Sequence, residues 1–257
     1  MGLIDSHAHL TFPELRNQVD DLLDRCAASG VDAVITVGTD LADALAAVDL
    51  ANRHSGTVYA AVGFHPHEAA KIPNDDFSAM SDLWNDPCVV GLGEMGLDYH
   101  YEFAPHEKQR EVFAKQLELA SALDKPVVIH NREALDDTIA LLTDHGFHDR
   151  SVVFHCFTGT AEDAARIAGY GWRISFTGIV TFKKSVWLQE IAKEYPADRL
   201  MVETDSPYLS PVPVRGKHPN EPSFVAHTAR FLADLRGESF EAFAERTESA
   251  TRAFFGI

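Results

Sequence analysis

The sequence predicts an α/β protein built as a single (β/α)8 barrel, and three observations support this fold class. Short apolar or β-branched runs recur about every 25 to 35 residues, and amphipathic stretches separate them. The chain has 257 residues, which is enough for one barrel of this kind. No segment reads as a linker, so we expect one domain over residues 1–257.

Eight runs are candidates for the barrel strands. Near-continuous apolar runs are typical of parallel strands that are buried on both faces. In chain order the runs are "GLIDSHAHL", "AVITVG", "VYAAVGFHPH", "VVGLGEMGLD", "PVVIHNR", "SVVFHCFTG", "WRISFTG" and "RLMVETDSP".

The intervening stretches carry helix signals. "PELRNQVDDLLDRCAASG" has Pro13 near a helix start and ends at Gly30. "DLADALAAVDLANRHSG" has Asp40 as a candidate N-cap and ends at Gly56. "HEKQREVFAKQLELASALDK" has apolar residues at helical spacing. The tail "FEAFAERTESATRAFFGI" predicts a last helix whose Phe side chains pack on the outside of the barrel.

The composition indicates which cellular location and which binding partners to expect. The formal net charge of −17 argues against an extended DNA-binding surface, although bound cations can hold a phosphodiester on an acidic protein. The three cysteines have no CxxC spacing, which favours reduced thiols and a cytoplasmic location. Because no long apolar run and no signal-peptide pattern is present, we expect no membrane association. No obligate protein partner is evident.

Polar side chains follow the predicted strands at their carboxyl ends, where barrel enzymes place their chemistry. Residues two apart on a strand point the same way, so paired members of this set should face the mouth of the barrel together, including Glu203 with Asp205. The set comprises His7, His9, His65, His67, Glu94, His130, Arg132, His155, Glu203 and Asp205.

Converging imidazoles and carboxylates are costly to bury unless a cation compensates them. Divalent metal ions do this, and four imidazoles with two carboxylates could fill two sites that keep positions open for water. A carboxylate from the middle of the barrel, Glu94, would bridge the two ions. The mixed ligands suit Zn, Mn, Co or Ni, and Mg is compatible where carboxylates dominate.

The motifs "DSHAHL", "GFHPH", "GEMGLDYH", "KPVVIHNREA", "HCFTG" and "ETDSPYL" resemble the TatD family of metal-dependent hydrolases, within the amidohydrolase-like superfamily. The resemblance runs from residue 5 to about residue 222, in family order. It implies a (β/α)8 barrel, two divalent metal ions and deoxyribonuclease activity, often from a 3′ end. The implied substrate is DNA, as an end or a short single strand.

The resemblance also implies roles for individual residues. His7 and His9 would bind the first ion, Glu94 would bridge, and His130 and His155 would bind the second. Asp205 would complete the first site and act with Glu94 in catalysis. Glu203, in the same motif, would contact the metal ligands without binding an ion itself. "RGKHPNEP" departs from the family's usual "RGKxNEP" by one extra residue, which bears on substrate preference.

Four further residues are candidates for substrate binding. His65 and His67 could bind a phosphate or hydrogen-bond a metal ligand, or they could belong to a loop stiffened by Pro66. Arg132 could clamp a phosphate or pair with an acid. Tyr99 could stack on a base or pack within its loop.

These residues give a hypothesis for the reaction and for its competitors. Two ions would lower the pKa of a shared water, and Asp205 would accept its proton as general base. The same centre could instead hydrolyse a carbonyl compound, such as a cyclic amide, a lactone or an aminoacyl-tRNA ester. A metal-binding or partner-binding protein without activity is the third class, and the complete ligand set disfavours it.

Overall fold

The computed structural model describes residues 2–257 and contains eight parallel strands, each paired with the next in chain order. The barrel closes where the Asp205 amide donates to the His7 carbonyl (2.9 Å) and the His9 amide donates to the Ser206 carbonyl (2.8 Å). The predicted (β/α)8 fold is confirmed, and each of the eight runs overlaps a strand, although β2 begins two residues before its run. The strands are β1 (Leu3–Ala8), β2 (Val31–Gly38), β3 (Val58–Val62), β4 (Val89–Asp98), β5 (Val127–Arg132), β6 (Val152–Phe154), β7 (Arg173–Phe176) and β8 (Leu200–Val202).

Helices alternate with these strands. The predicted N-cap at Asp40 is confirmed, because its carboxylate accepts a hydrogen bond from the Asp43 amide at 2.8 Å. Short 3-10 helices follow β3 (Pro66–Glu68) and β7 (Gly178–Thr181). The α-helices are α1 (Val19–Ala28), α2 (Leu41–Arg53), α3 (Asp76–Leu83), α4 (His106–Ala120), α5 (Leu135–Asp144), α6 (Ala161–Gly169), α7 (Val186–Glu194), α8 (Val225–Arg236) and α9 (Phe240–Phe255).

The first helix begins later than its sequence suggests. The sequence placed its start near Pro13, but the residues before Val19 form turns. In these turns the Leu15 amide donates to the Phe12 carbonyl, and the Leu15 side chain is fully buried. The segment is therefore held to the core by a buried leucine in a turn, and not by the apolar face of a helix. Among residues 2–257, no helix has the length and apolarity that crossing a membrane requires.

Two apolar cores hold the barrel together. The larger one lies between strands and helices, and it includes Phe243 of α9. The smaller one lies inside the barrel and contains Phe254 and Phe255 from the end of α9. The expectation that all Phe residues of the tail pack outside was therefore wrong for these two. Gly91 gives Phe255 its space, because a Cβ atom there would lie 3.0 Å from the Phe255 ring.

Candidate metal centre

The buried carboxyl group of Asp5 fixes the first strand beside the end of the last. It accepts hydrogen bonds from the Thr204 amide (2.8 Å) and the Thr204 hydroxyl (2.5 Å). Burial raises the pKa of Asp5 well above its usual value despite these bonds. The contact brings His7 and His9, which follow Asp5, next to Asp205, which follows Thr204. The sequence analysis gave Asp5 no role.

Asp205 adopts a backbone conformation that is rare outside glycine, with φ at 53°. Such a conformation costs about 1–3 kcal/mol and persists where the surroundings enforce it. Its Oδ1 lies 3.3 Å from His9 Nε2 and 3.9 Å from His7 Nε2. Burial alone would raise the pKa of Asp205, but the hydrogen bond and charge of His9 outweigh it and lower the pKa. Asp205 is therefore held as a carboxylate.

Glu94 lies at the centre of the cluster and faces two groups of histidines. Its Oε2 lies 3.3 Å from His7 Nε2. Its Oε1 lies 2.8 Å from His130 Nδ1 and 2.6 Å from His155 Nε2. Burial would raise the pKa of Glu94, yet the histidines around it hold the pKa well below its ordinary range. One ionised carboxylate thus presents a different oxygen to each group.

Asp98 orients His130 from the side opposite Glu94. Its Oδ2 lies 2.9 Å from His130 Nε2 and 2.9 Å from His67 Nε2, and the residue is fully buried. Burial would raise the pKa of Asp98, but hydrogen bonds from these two rings and from the Tyr101 amide hold it below its usual range. Asp98 was not among the site residues predicted from the sequence. Its only signal was its place four residues after Glu94 on the same strand.

Glu203 supports His155 from below the mouth. Its Oε1 lies 3.6 Å from His155 Nδ1 and accepts a hydrogen bond from the Cys156 amide at 2.6 Å. Its Oε2 accepts from the Ser175 hydroxyl at 2.6 Å. Glu203 and Asp205 both lie at the cluster, as the strand alternation predicts, but at different depths. Glu203 is 1% exposed and contributes a candidate ligand atom beside His7 and His155, whereas Asp205 lines the cavity.

The donor set fits divalent cations. Both ring nitrogens of His7, Nδ1 of His9 and Nδ1 of His155 are buried and have no hydrogen-bond partner among the described residues. Unpaired buried polar atoms of this kind are uncommon and need an explanation. Ligand atoms of His7, His9 and Glu94 lie within 4.8 Å of one another, as do those of Glu94, His130 and His155. Cations in these groups would take one ring nitrogen from each histidine and compensate the carboxylates.

A cavity of about 560 Å³ opens above this cluster, and His65, His67 and Arg132 line it. His65 Nδ1 accepts a hydrogen bond from the His67 amide at 3.1 Å, and His65 Nε2 lies 3.3 Å from Glu94 Oε1. Arg132 is exposed and makes no ion pair within residues 2–257. Its guanidinium lies over the Tyr101 ring, 4.9 Å from the centroid. The predicted pairing of Arg132 with an acid is therefore not what the structure shows.

The structure does not bring Tyr99 to the cavity. Its hydroxyl donates to Asp137 at 2.5 Å, and its ring stacks on His106 with centroids 4.0 Å apart. Tyr101, two residues further on, lines the cavity instead. The loop after β4 thus offers an aromatic side chain to a substrate, but at a different position from the predicted one.

Comparison with known proteins places the chain in a family. A model of the family described as TatD related DNase matches residues 4–256. A metal-dependent hydrolase, YabD, of Bacillus subtilis (strain 168) is 38% identical, with 98% of both chains covered. A protein of Erwinia billingiae (strain Eb661) named 3′-5′ ssDNA/RNA exonuclease TatD is 34% identical, with 99% of both covered.

The solved structures agree with this family. The crystal structure of YJJV, a TatD homolog from Escherichia coli K12, superposes with a TM-score of 0.93 at 28% identity. The superposition covers 99% of this chain and 98% of that chain. The protein is therefore a metal-dependent hydrolase that belongs to the TatD related DNase family.

Proposed function

We propose that the protein is a deoxyribonuclease that hydrolyses phosphodiester bonds with two divalent metal ions and removes nucleotides from a 3′ end. The observation that carries this is Glu94, whose two oxygens face two separate groups of histidines at the floor of a cavity. The printed name of the Erwinia relative, 3′-5′ ssDNA/RNA exonuclease, supports the choice of substrate and direction.

In this proposal the first ion is held by one group of ligands and the second by another, with Glu94 shared. The ions would be Mg, Mn, Zn, Co or Ni, and when bound they polarise the phosphodiester and lower the pKa of a water. The ligands come from segments that span residues 7 to 205, so we infer that residues 1–257 act as one domain. The first group is His7, His9 and Asp205, and the second is His130 and His155.

Asp205 is our candidate for the general base. Its pKa is lowered, so the carboxylate is ionised at neutral pH and can accept a proton. Its side chain is 15% exposed and lines the cavity, whereas Glu203 beneath it does not. Asp205 would therefore meet the attacking water, and Glu203 would hold His155 in place.

His65 is suited to donate a hydrogen bond to the phosphate. Burial lowers the pKa of His65 to about 4, so the ring is neutral at pH 7. Because Nδ1 accepts a hydrogen bond from the His67 amide, the single proton of the neutral ring resides on Nε2, which lies 3.3 Å from Glu94 Oε1 on a residue that lines the cavity. A nitrogen that carries a proton cannot bind a metal ion, so we assign His65 to substrate rather than to metal. His67 would act through its contact with Asp98.

Arg132 and Tyr101 complete the proposed substrate site. The Arg132 guanidinium stacks on the Tyr101 ring, which leaves its N–H groups free in the ring plane for phosphate oxygens. Tyr101 is 41% exposed at the cavity and offers a surface on which a base could stack. We therefore transfer the stacking role from Tyr99 to Tyr101.

A release assay tests this function. The metal-stripped protein receives Mg, Mn or Zn singly, with single-stranded DNA labelled at its 5′ end. We expect a ladder that shortens from the 3′ end, no ladder with Glu94→Ala, and a wild-type ladder with Glu118→Ala, which changes an exposed glutamate on α4. Metal analysis should find two ions per wild-type chain. Absence of cleavage by protein that holds two ions would favour the carbonyl-hydrolase alternative.

A further inference from the structure

Beside the cavity, four exposed basic side chains stand on the segments that follow β7 and β8. We propose that this cationic strip, formed by Lys183, Lys184, Arg215 and Lys217, binds phosphates of a nucleic-acid strand beyond the one being cleaved. The role depends on the nuclease function proposed above. It extends that function from a single phosphodiester to the length of strand that the protein engages.

Contacts between the two segments place the strip at the mouth of the barrel. The Val212 amide donates to the Thr181 hydroxyl at 2.8 Å, which joins the segments. The Arg215 guanidinium lies over the Phe182 ring, 4.0 Å from its centroid. Ile179 and Leu209 belong to the same segments and line the cavity. A strand whose end occupies the cavity can therefore leave over these segments.

The charge of these segments differs from that of the whole chain. The chain has 39 acidic and 22 basic side chains, yet residues 177–189 and 206–220 contain no Asp or Glu. None of the four cations forms an ion pair within residues 2–257. By contrast, helix-surface cations such as Arg53 and Arg252 pair with acids on their own helix. The positive charges of the strip are thus free to meet an anion.

The wall opposite the strip offers no comparable positive charge. In an eight-stranded barrel β3 lies across from β7, and the segment after β3 brings Glu68 to the cavity. Glu68 pairs with Lys71 at 2.9 Å, so the positive charge of Lys71 in this segment is already neutralised. A polyanion would therefore leave the cavity across β7 and β8 rather than across β3. The net charge of −17 excludes a basic surface overall, but not this local one.

Binding of a single strand of about 20 thymidines, measured by fluorescence anisotropy, tests the strip. The strip variant carries Lys183→Gln, Lys184→Gln, Arg215→Gln and Lys217→Gln. A matched control replaces four cations on helices: Arg53→Gln, Arg166→Gln, Lys193→Gln and Arg252→Gln. All three proteins also carry Asp205→Asn, which prevents turnover during the measurement.

We expect the strip variant to bind at least about tenfold more weakly than the parent at about 50 mM salt, and the control to stay within about twofold. The slope of log Kd against log salt should fall by about 0.7 for each phosphate that the strip no longer neutralises. Equal binding by strip variant and control would overturn the inference, as would an absence of salt-dependent binding by the parent.

A second measurement separates this inference from the nuclease function. With Asp205 restored, the strip variant should lose kcat/KM on the long strand relative to a dinucleotide, which occupies only the cavity. An unchanged ratio would overturn the strip. Failure of wild-type protein to hydrolyse either substrate would instead overturn the nuclease function, whatever the binding data show.

Discussion

The two mouths of the barrel are built from the same eight strands and have opposite chemistry. At the amino end the interior is apolar, and Phe254 and Phe255 from α9 join its cluster. At the carboxyl end the strands finish in histidines and carboxylates that form the floor of a cavity. One end buries apolar surface and stabilises the fold, while the other keeps buried polar atoms without partners. Separation along one strand lets the fold carry a costly site.

The contrast also explains why strained backbone is confined to one end. Asp205 has positive φ and lies at the carboxyl mouth, where its carboxylate is aimed at His9. At the amino mouth, Gly256 supplies the positive φ that ends α9, and glycine adopts it without strain. At Asp205 the strain therefore coincides with the proposed chemistry, and at Gly256 a glycine serves where the structure needs only a turn.

The sharpest test of this division is Asp205→Asn. Because a general base contributes about 10²–10⁴ to the rate, we expect kcat to fall about 10³-fold, or about 4 kcal/mol, with a smaller change in KM. The free energy of unfolding should change little, since Asp205 packs against no apolar core. Steady-state kinetics on single-stranded DNA at saturating metal measures this. Wild-type kcat in a variant that still holds its ions would exclude Asp205 as the base.

The complementary change is Phe255→Ala at the other mouth. Removing a fully packed ring leaves a cavity, so the free energy of unfolding should fall by about 3–5 kcal/mol. The activity per folded molecule should stay close to wild type, because the change lies at the opposite end of the strands. Urea denaturation measures the stability, with Leu45→Ala, 53% exposed on α2, as the control. Equal losses in stability and in kcat would show that the two mouths are coupled.

Asp98→Asn tests whether Asp98 positions the proposed metal ligands. It does not test the chemical step. The asparagine side chain has the same shape as that of aspartate. Its neutral amide, however, cannot replace the negatively charged carboxylate that contacts both His130 and His67. Mutation of a residue that hydrogen-bonds a metal-bound histidine typically lowers metal affinity about 10–100-fold, so we expect a loss in that range. Calorimetric titration with Mn or Zn measures it. Asp137→Asn, which changes an acid outside the cavity, should leave the affinity unchanged.

The sequence was sufficient for the barrel and for the residues at its carboxyl mouth. The strands are largely buried on both faces, so most are near-continuous apolar runs, and the polar site residues that six of the eight runs carry are conspicuous. The roles of these residues are predictions that the substitutions above test. What the sequence specified was where the polar residues meet.

Other features depend on contacts that a linear pattern does not show. Asp98 acquires its role only because His130 turns one nitrogen to Glu94 and the other away from it. Tyr99 lies away from the cavity because Asp137, on α5, holds its hydroxyl. Long-range side-chain contacts decided these positions, whereas local periodicity decided the strands.

The smallest expected effect concerns a charged group at the amino mouth, Glu238, which contacts Arg236 and Arg246. Arg236 also donates to the Ala192 and Tyr195 carbonyls just before β8 begins. Burial alone would raise the pKa of Glu238, but hydrogen bonds from the two arginines outweigh it and lower the pKa. A lowered pKa means that the carboxylate stabilises the fold above its ordinary pKa, and that this stability is lost as pH falls through the lowered value.

Glu238→Gln should therefore reduce the free energy of unfolding by about 1 kcal/mol at pH 7, and the difference from wild type should shrink as pH falls below the ordinary pKa of a glutamate. Urea denaturation at pH 7 and through the acidic range measures this, with Glu245→Gln, an exposed change on α9, as the control. Metal affinity should not change, because we expect charged groups at the amino mouth to affect the free energy of unfolding and not metal binding. A loss of metal affinity in Glu238→Gln would show that the division between the two mouths is incomplete.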